Sequence, residues 1–477
     1  MEQRLWIRTR RGGGIDLPLA EVEALAGSLG GQVLTPWHDG YEEARRLWNG
    51  LIEKRPALIA RCSSPEDVAE CLRFARARDL VLAVRGGGHN VAGHALCDGG
   101  LVIDLSPMRR VRVDPARRIA YAQGGATLGD VDEATVPHGL AVPLGLVSAT
   151  GVSGLALHGG YGWMSRHAGL TADNLEGAEL VLADGRRVRA NERENPDLHW
   201  ALRGGGGNFG VVTELALRAW PIASEVFMAV VFHPLDQAAG LLRFFRDFML
   251  QAPREVGGLV TLWTTKDGPP FPPAWRAKPV AAIAAVSVGD PDEAERLLRP
   301  LREWGRPVVD LSARVGWLEA QRFFDEDYPD GRLYYWKALY LKDFGEPEIG
   351  TLARLAGERP SPLSSIDFWV LNGKAAEPAP DATAFARRTA PFMVAFESSW
   401  DDPEQTVRNI DWTRRAFQEV ELFASGETYL NFPGFAEGGE RFVRGAYGEN
   451  WERLRRVKSR YDPENHLHGN FNIPPEP

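Results

Sequence analysis

His89 stands directly behind three consecutive glycines, in the stretch Arg85 to Gly93 reading RGGGHNVAG. With no Cβ in the way, the backbone there can turn tightly and come close to a ligand. Successive N–H groups in such a turn form a concavity that holds an anion such as a pyrophosphate. The imidazole brings a nucleophilic ring nitrogen to whatever the loop holds. Two more glycine clusters follow: Thr150 to Gly162 (TGVSGLALHGGYG) and Trp200 to Val212 (WALRGGGGNFGVV). One glycine run is an ordinary surface turn. Three, each beside an apolar strand, suggest a long, extended cofactor with a pyrophosphate in its middle. None of them reads GxGxxG with an acidic residue at the end of the next strand, so a nicotinamide-binding Rossmann enzyme is disfavoured.

These loops need elements to carry them. Ala57 to Cys62 reads as a strand, and SSPEDVAECLRFARARD as a helix capped by Ser64 with Pro65 at its first position. Val68, Cys71, Leu72 and Ala75 form its buried stripe. Leu80 to Val84 is a strand leading into the histidine loop, so strand, helix, strand and loop make an α/β unit. Short strands follow at 101–105, 111–113 and 119–122, then a helix carrying Leu128, Val131 and Ala134. Ala178 to Ala183 and Val211 to Leu217 are strands, with Asp184-Gly185 as a hairpin turn. After Pro221 the style changes. Strands at 226–232, 259–263, 281–288, 333–341, 366–371 and 391–398 alternate with helices at 235–249, 292–304, 346–354 and 403–419. This reads as a second domain with a largely antiparallel sheet. The tail from Tyr429 is turns and glycines, then a helix over 448–460.

A chain of 477 residues exceeds what one core usually serves. Its net charge of −9 argues against a nucleic-acid surface. Cys62, Cys71 and Cys97 are too few and too scattered for a disulfide framework or a zinc site, so no metal is expected. The N-terminus lacks an uninterrupted apolar stretch, and no segment is apolar enough to span a membrane. The expectation is a cytoplasmic protein, working as a monomer or homodimer.

An ordered set of motifs runs from Trp48-Asn49-Gly50 through ARCSSPEDV, VRGGGHNVAGHALCDGGLVIDLS, GGYGWMSRHAGLTADNL and RGGGGNFGVVTE. It ends with YYWKALYL, Tyr429-x-Asn431 and VKSRYDPENHLHGNFNI. In these the chain resembles the berberine-bridge-enzyme-like FAD-linked oxidases of the vanillyl-alcohol-oxidase, PCMH-type fold. Within that family it is most similar to the bacterial 6-hydroxy-D-nicotine-oxidase-like group. The resemblance implies an α+β fold. An FAD-binding domain would occupy 1–222, with its core from about 54, and a substrate domain 223–428. Segment 429–477 would return to the first domain.

It also implies FAD, covalently linked through His89. Some relatives add a cysteine link; the matching position is Val147, with no cysteine nearby, so a single link is expected. Cofactor contacts would come from Arg85, Gly86, Gly87, Gly88, Asn90, Val91, Gly93 and His94. The second stretch would add Gly145, Thr150, Gly151, Gly154, Leu155, Gly159, Gly160 and Gly162. Asp173, Asn174, Asn208, Gly210, Val211, Val212, Asn470 and Asn472 complete the implied set. His158 stands where relatives usually have a small residue.

The implied reaction removes hydride from a C–H next to oxygen or nitrogen of a small organic substrate. Dioxygen is the acceptor and hydrogen peroxide the product. The setting would be secondary metabolism or xenobiotic breakdown. Tyr429 and Asn431 match the family's active-site element. A phenol titrates near ~10, so Tyr429 needs a cationic or hydrogen-bonding neighbour to act as a base; a buried core tyrosine is the equal alternative.

Strand 366–372 is expected to cross the cofactor's face. Relatives carry acids there; here Phe368, Val370 and Asn372 take that parity and Asp367 the opposite one, which argues against a cationic amine substrate. Trp263, Tyr335, Trp336 and Trp369 would suit a flat or apolar molecule, while Lys337 reads as a solvated or paired charge. A carbohydrate oxidase, a dehydrogenase with another acceptor, and a non-catalytic flavin-carrying binding module remain as alternatives.

Overall fold

The first half of the chain folds around two sheets that hold the glycine loops between them. The computed structural model describes residues 4–424, 428–435, 437 and 439–477. A four-stranded sheet sets Leu58–Arg61, Leu101–Asp104 and Leu82–Arg85 parallel, with Gln32–Leu34 antiparallel at its edge. The helix Pro65–Ala77 makes the crossover. Ser64 caps it by accepting from the Asp67 N–H, while the Asp67 carboxylate accepts from Ser63 and Gly30. Its buried stripe includes Val68, Cys71, Leu72 and Ala75. The second sheet is antiparallel and orders Arg187–Asn191, Leu175–Val181, Val211–Arg218, Ile119–Gln123 and Val111–Asp114.

Residues 225–400 build an eight-stranded antiparallel sheet. Its path is Val309–Asp310, Glu225–Pro234, Pro279–Ser287, Val256–Thr264, Ser365–Val370, Phe392–Trp400 and Leu333–Leu341, with Ala313–Gly316 also paired to Glu225–Pro234. One face packs on the helices Ala238–Gln251, Pro291–Glu303, Glu346–Gly357 and Thr406–Glu421. The other face turns to the glycine loops. The architecture is α+β. Among the described residues no helix is long and apolar enough to cross a membrane.

Several short elements escape the sequence reading. Arg4–Arg8 pairs with Gly14–Pro18 as a hairpin, Glu440–Tyr447 is helical, and the strands at 309–310 and 313–316 edge the large sheet. All are short, and short elements leave little periodicity to read.

Asp132, on the helix Leu128–Thr135, is buried against Gln321, whose amide donates to its Oδ2 at 3.0 Å. Burial raises this carboxyl to about 7, against the amide bond that lowers it. The folded protein therefore holds a proton that the unfolded chain releases near ~4, so this group's stabilising contribution is lost as pH rises through about 7. Asp132→Asn is expected to remove that loss, worth up to ~1.4 kcal/mol per pH unit between ~4 and about 7. Melting curves from about pH 4 to pH 7 test it; equal pH dependence in both proteins would refute the assignment.

Candidate active site

A cavity of about 540 Å³ lies between the glycine loops and the large sheet. Its loop side is mostly backbone. Gly87 and Gly151 face each other so closely that a Cβ on Gly87 would lie 2.4 Å from the Gly151 nitrogen. A side chain at either position would force the two loops apart. Gly86, Gly88, Asn90 and His94 line this side, with Gly145, Thr150, Gly154 and Leu155 from the second stretch. Gly210, Val211 and Val212 come from the third, and Asn470 from the C-terminal segment. That segment is pinned by buried Lys458, which pairs with Asp462 at 2.6 Å and donates to the Asn208 carbonyl at 2.8 Å.

His89 is on the wall too. Trp48 stacks on its ring at 4.0 Å and on Tyr334 at 3.8 Å. Asn49 ties the histidine loop to the large sheet, donating to the carbonyls of Val91 (2.8 Å) and Tyr334 (2.9 Å). Burial lowers His89 to about 3, so its imidazole is neutral and nucleophilic at neutral pH.

Other expected residues stand behind the wall rather than on it. Arg85 donates to the Ala44 carbonyl and lies 4.0 Å from Asp104. Val91 packs with Trp48, and Gly93 sits against Ile52. Gly159 abuts Phe385, Gly160 abuts Thr171, and Gly162 abuts the Leu144 carbonyl. Asp173 pairs with buried Arg388 at 2.5 Å, and Asn174 bonds the Ala168 and Leu170 carbonyls. Asn208 joins Gly205 to Phe471, and Asn472 is off the wall. These residues shape the loops through their own bonds, so motif membership did not mean a place at the cavity. His158 fits by turning its Nδ1 to the Gly154 carbonyl at 3.3 Å, and it joins the wall.

The opposite wall carries the sheet's polar groups. The expected parity of strand Ser365–Val370 is reversed: Phe368 and Val370 pack on the helices, while Ser365, Asp367 and Trp369 face the cavity. Both faces of this strand are buried, so apolar residues sit on each and alternation alone does not say which face meets the cavity. With Asp367 on the cavity face, this strand does not disfavour a cationic amine substrate. Glu397, on the neighbouring strand Phe392–Trp400, joins Asp367 on the wall. Burial raises both carboxyls above the ordinary range. Among the described residues, Asp367 Oδ1 has no hydrogen-bond partner and is buried.

Tyr429 and Asn431 lie on the same wall. The Tyr429 hydroxyl accepts from Asn431 (2.8 Å) and from the Gly160 N–H (3.1 Å). Burial pushes this phenol up to about 12, and among the described residues no cation opposes that. Lys337 is paired, at 2.7 Å from Glu437.

Whether this loop wall suits a dinucleotide can be asked of its own atoms. Among the described residues, five buried polar atoms there lack partners: Nε2 of His89, His94 and His158, Oγ of Ser153 and Oδ1 of Asn470. Buried polar atoms without partners are costly, and a ligand rich in hydrogen-bonding groups would match them. With the glycine cradle, they fit FAD. Such a cradle, set against a carboxyl-bearing aromatic wall, defines a flavin-dependent oxidoreductase.

Comparison with known proteins agrees. The model of the FAD binding domain family matches residues 56–191, and that of the berberine and berberine-like family matches residues 428–474. The uncharacterized FAD-linked oxidoreductase YgaK of Bacillus subtilis (strain 168) is 31% identical over 458 residues, 94% of this chain and 97% of its own. The (R)-6-hydroxynicotine oxidase of Paenarthrobacter nicotinovorans is 32% identical over 461 residues, 94% of this chain and 98% of its own. The crystal structure of 6-hydroxy-D-nicotine oxidase from Arthrobacter nicotinovorans superposes with a TM-score of 0.85 at 30% identity, covering 94% of this chain and 99% of that one. The chain belongs to the berberine-bridge-like family of FAD-linked oxidoreductases, and it is an enzyme.

Proposed function

We propose that the protein is an oxidase that takes hydride from a C–H next to oxygen or nitrogen of a small, largely aromatic or apolar molecule. The observation that carries this reading is one cavity with a glycine-and-imidazole wall on one side and a carboxyl-bearing aromatic wall on the other. When bound, FAD supplies the two-electron acceptor, with dioxygen as its oxidant and hydrogen peroxide as the product.

His89 would hold FAD covalently, and as the only link, since Val147 lines the wall and the three cysteines are buried elsewhere. The N–H groups of Gly86 to Asn90 and of Thr150 to Gly154 would hold its phosphates. Trp263, Phe271, Tyr328, Trp336 and Trp369 would flank the substrate and exclude water. Asp367 would take the substrate's O–H or N–H proton as hydride leaves, because its raised carboxyl titrates nearer working pH than Tyr429 does. Tyr429, held by Asn431, would orient the substrate as a neutral hydroxyl.

The test is anaerobic bleaching of the flavin by a panel of aromatic alcohols, polyketide-like phenols, cyclic amines and sugars. Bleaching by aromatic alcohols, phenols or amines, reversed by air with peroxide formed, is the expected outcome. Bleaching that air reverses slowly or not at all would identify a dehydrogenase, and bleaching by sugars alone a carbohydrate oxidase. A flavin reduced only by chemical reductants would point to a non-catalytic carrier.

Tyr429→Phe is expected to lower kcat only about 2- to 12-fold, the loss of one net hydrogen bond of ~0.5–1.5 kcal/mol, and to leave the pH profile in place. A displaced profile would return the tyrosine to the role of base.

A further inference from the structure

We propose that Asp367 and Glu397 act as one unit holding a single shared proton, with Glu397 as the positioning residue that carries it; this rests on Asp367 being the proton acceptor. The two side chains come from neighbouring antiparallel strands. Ser365 pairs with Glu397 and Asp367 with Ala395, so the acids are diagonal neighbours on one face. Long side chains reach one another across such a diagonal. Asp367 is 4% exposed and Glu397 5%.

The groups around the pair are compatible with one negative charge and not with two. From the next strand, Thr261 stands directly opposite Asp367. From the loop before strand Leu333–Leu341, Tyr328 donates its hydroxyl to Glu397 Oε2 at 2.6 Å. Asp327, beside it, is itself raised by burial and leans on Lys266 at 3.1 Å. The cation behind the pair is Arg359. Its guanidinium donates to the carbonyls of Ala356, Leu262, Ser364 and Trp263 and to the Thr264 hydroxyl, and it reaches Asp367 only through its field.

Two carboxylates in one dry pocket cannot both ionise when, among the described residues, Arg359, the cation whose field reaches Asp367, is bonded to neither. Asp367 keeps the charge, helped by the Thr261 and Ser365 hydroxyls, and that charge drives Glu397 to keep its proton. The pair therefore enters the reaction as a monoanion. Asp367 accepts the substrate proton while the Glu397 proton spreads the charge.

Infrared spectroscopy of the flavin-loaded enzyme reads this without turnover, through the C=O stretch of a protonated carboxyl. The background is Asp132→Asn, because that acid is raised to about 7 as well. The band is expected at neutral pH, and Glu397→Gln is expected to abolish it. Tyr328→Phe is expected to keep it, because the phenol's hydrogen bond favours the charged form of Glu397. In kcat/KM profiles, loss of the shared proton gives an alkaline limb. Glu397→Gln should lose that limb and keep the acid one, and Tyr328→Phe should move it to higher pH. A role in folding alone would lower the rate equally at every pH. A wild-type enzyme with no band that depends on Glu397 overturns the shared proton. Retained turnover in Asp367→Asn overturns the acceptor role beneath it, and the band tells the two failures apart.

Discussion

Asp367→Asn is expected to lower the rate of anaerobic flavin bleaching by about 10²- to 10⁴-fold at neutral pH, the usual range for a lost general base. Two groups on the sheet-side wall compete for that role, and magnitudes decide between them. Tyr429 is pushed up to about 12. At pH 7 such a phenol is ionised in roughly one molecule in 10⁵. Asp367 is raised above the ordinary carboxylate range by burial but keeps its charge, and among the described residues its Oδ1 has no hydrogen-bond partner. The substitution is nearly isosteric, so substrate binding should change little and the loss should fall on kcat.

Stability supplies the control. A carboxyl raised in the folded state contributes stability below its unfolded pKa of ~3.9 and loses it as pH rises through the folded value. Asn does not titrate, so the variant should melt no lower than wild type at neutral pH. A slow variant that melts as high as wild type identifies lost chemistry. A variant that turns over at the wild-type rate sinks the assignment.

The loop side of the site was far more legible in the sequence than the sheet side. Glycine clusters have few uses when they sit beside strands, and RGGGHN placed His89 on the wall from residue order alone. Asp173 and Asn208 belong to the same motifs, and their side chains bond within the protein, to Arg388 and to the Gly205 carbonyl. Hydrogen bonds formed across long sequence separations leave no local signal. The sheet side failed for a related reason. The strand SIDFWV is buried on both faces, so its period-2 pattern carries no mark of which face meets the cavity. A charged residue inside such a strand was the signal available, since an acid is rarely buried without a partner or a purpose. Glu397, in the run FMVAFESSW, offered the same hint. Trp48 and Asn49 lie more than thirty residues before the histidine loop, and only the fold brings them to it.

The second large effect is expected at His89. Wild-type enzyme denatured in acid or detergent should keep its flavin on the polypeptide, and His89→Ala should release all of it. Three features equip this side chain for the bond. Its ring is lowered to about 3 by burial, so the neutral, nucleophilic form is present across the working range. Its plane is fixed against Trp48 at 18°. Its Nε2 is buried and, among the described residues, has no competing hydrogen-bond partner. The neutral ring of His89, on the cavity wall, would give up its N–H proton in holding the flavin, which would supply the two-electron chemistry when bound. The glycine cradle is untouched by the substitution, so His89→Ala should still fold and bind FAD reversibly. The bound flavin should then have a lower reduction potential and accept hydride more slowly, since the covalent bond raises that potential. In-gel flavin fluorescence separates the outcomes. Flavin retained by the variant would mean a second attachment point, for which the wall offers Val147 in place of a cysteine. Flavin released by the wild type would mean that the neutral, stacked imidazole serves packing alone.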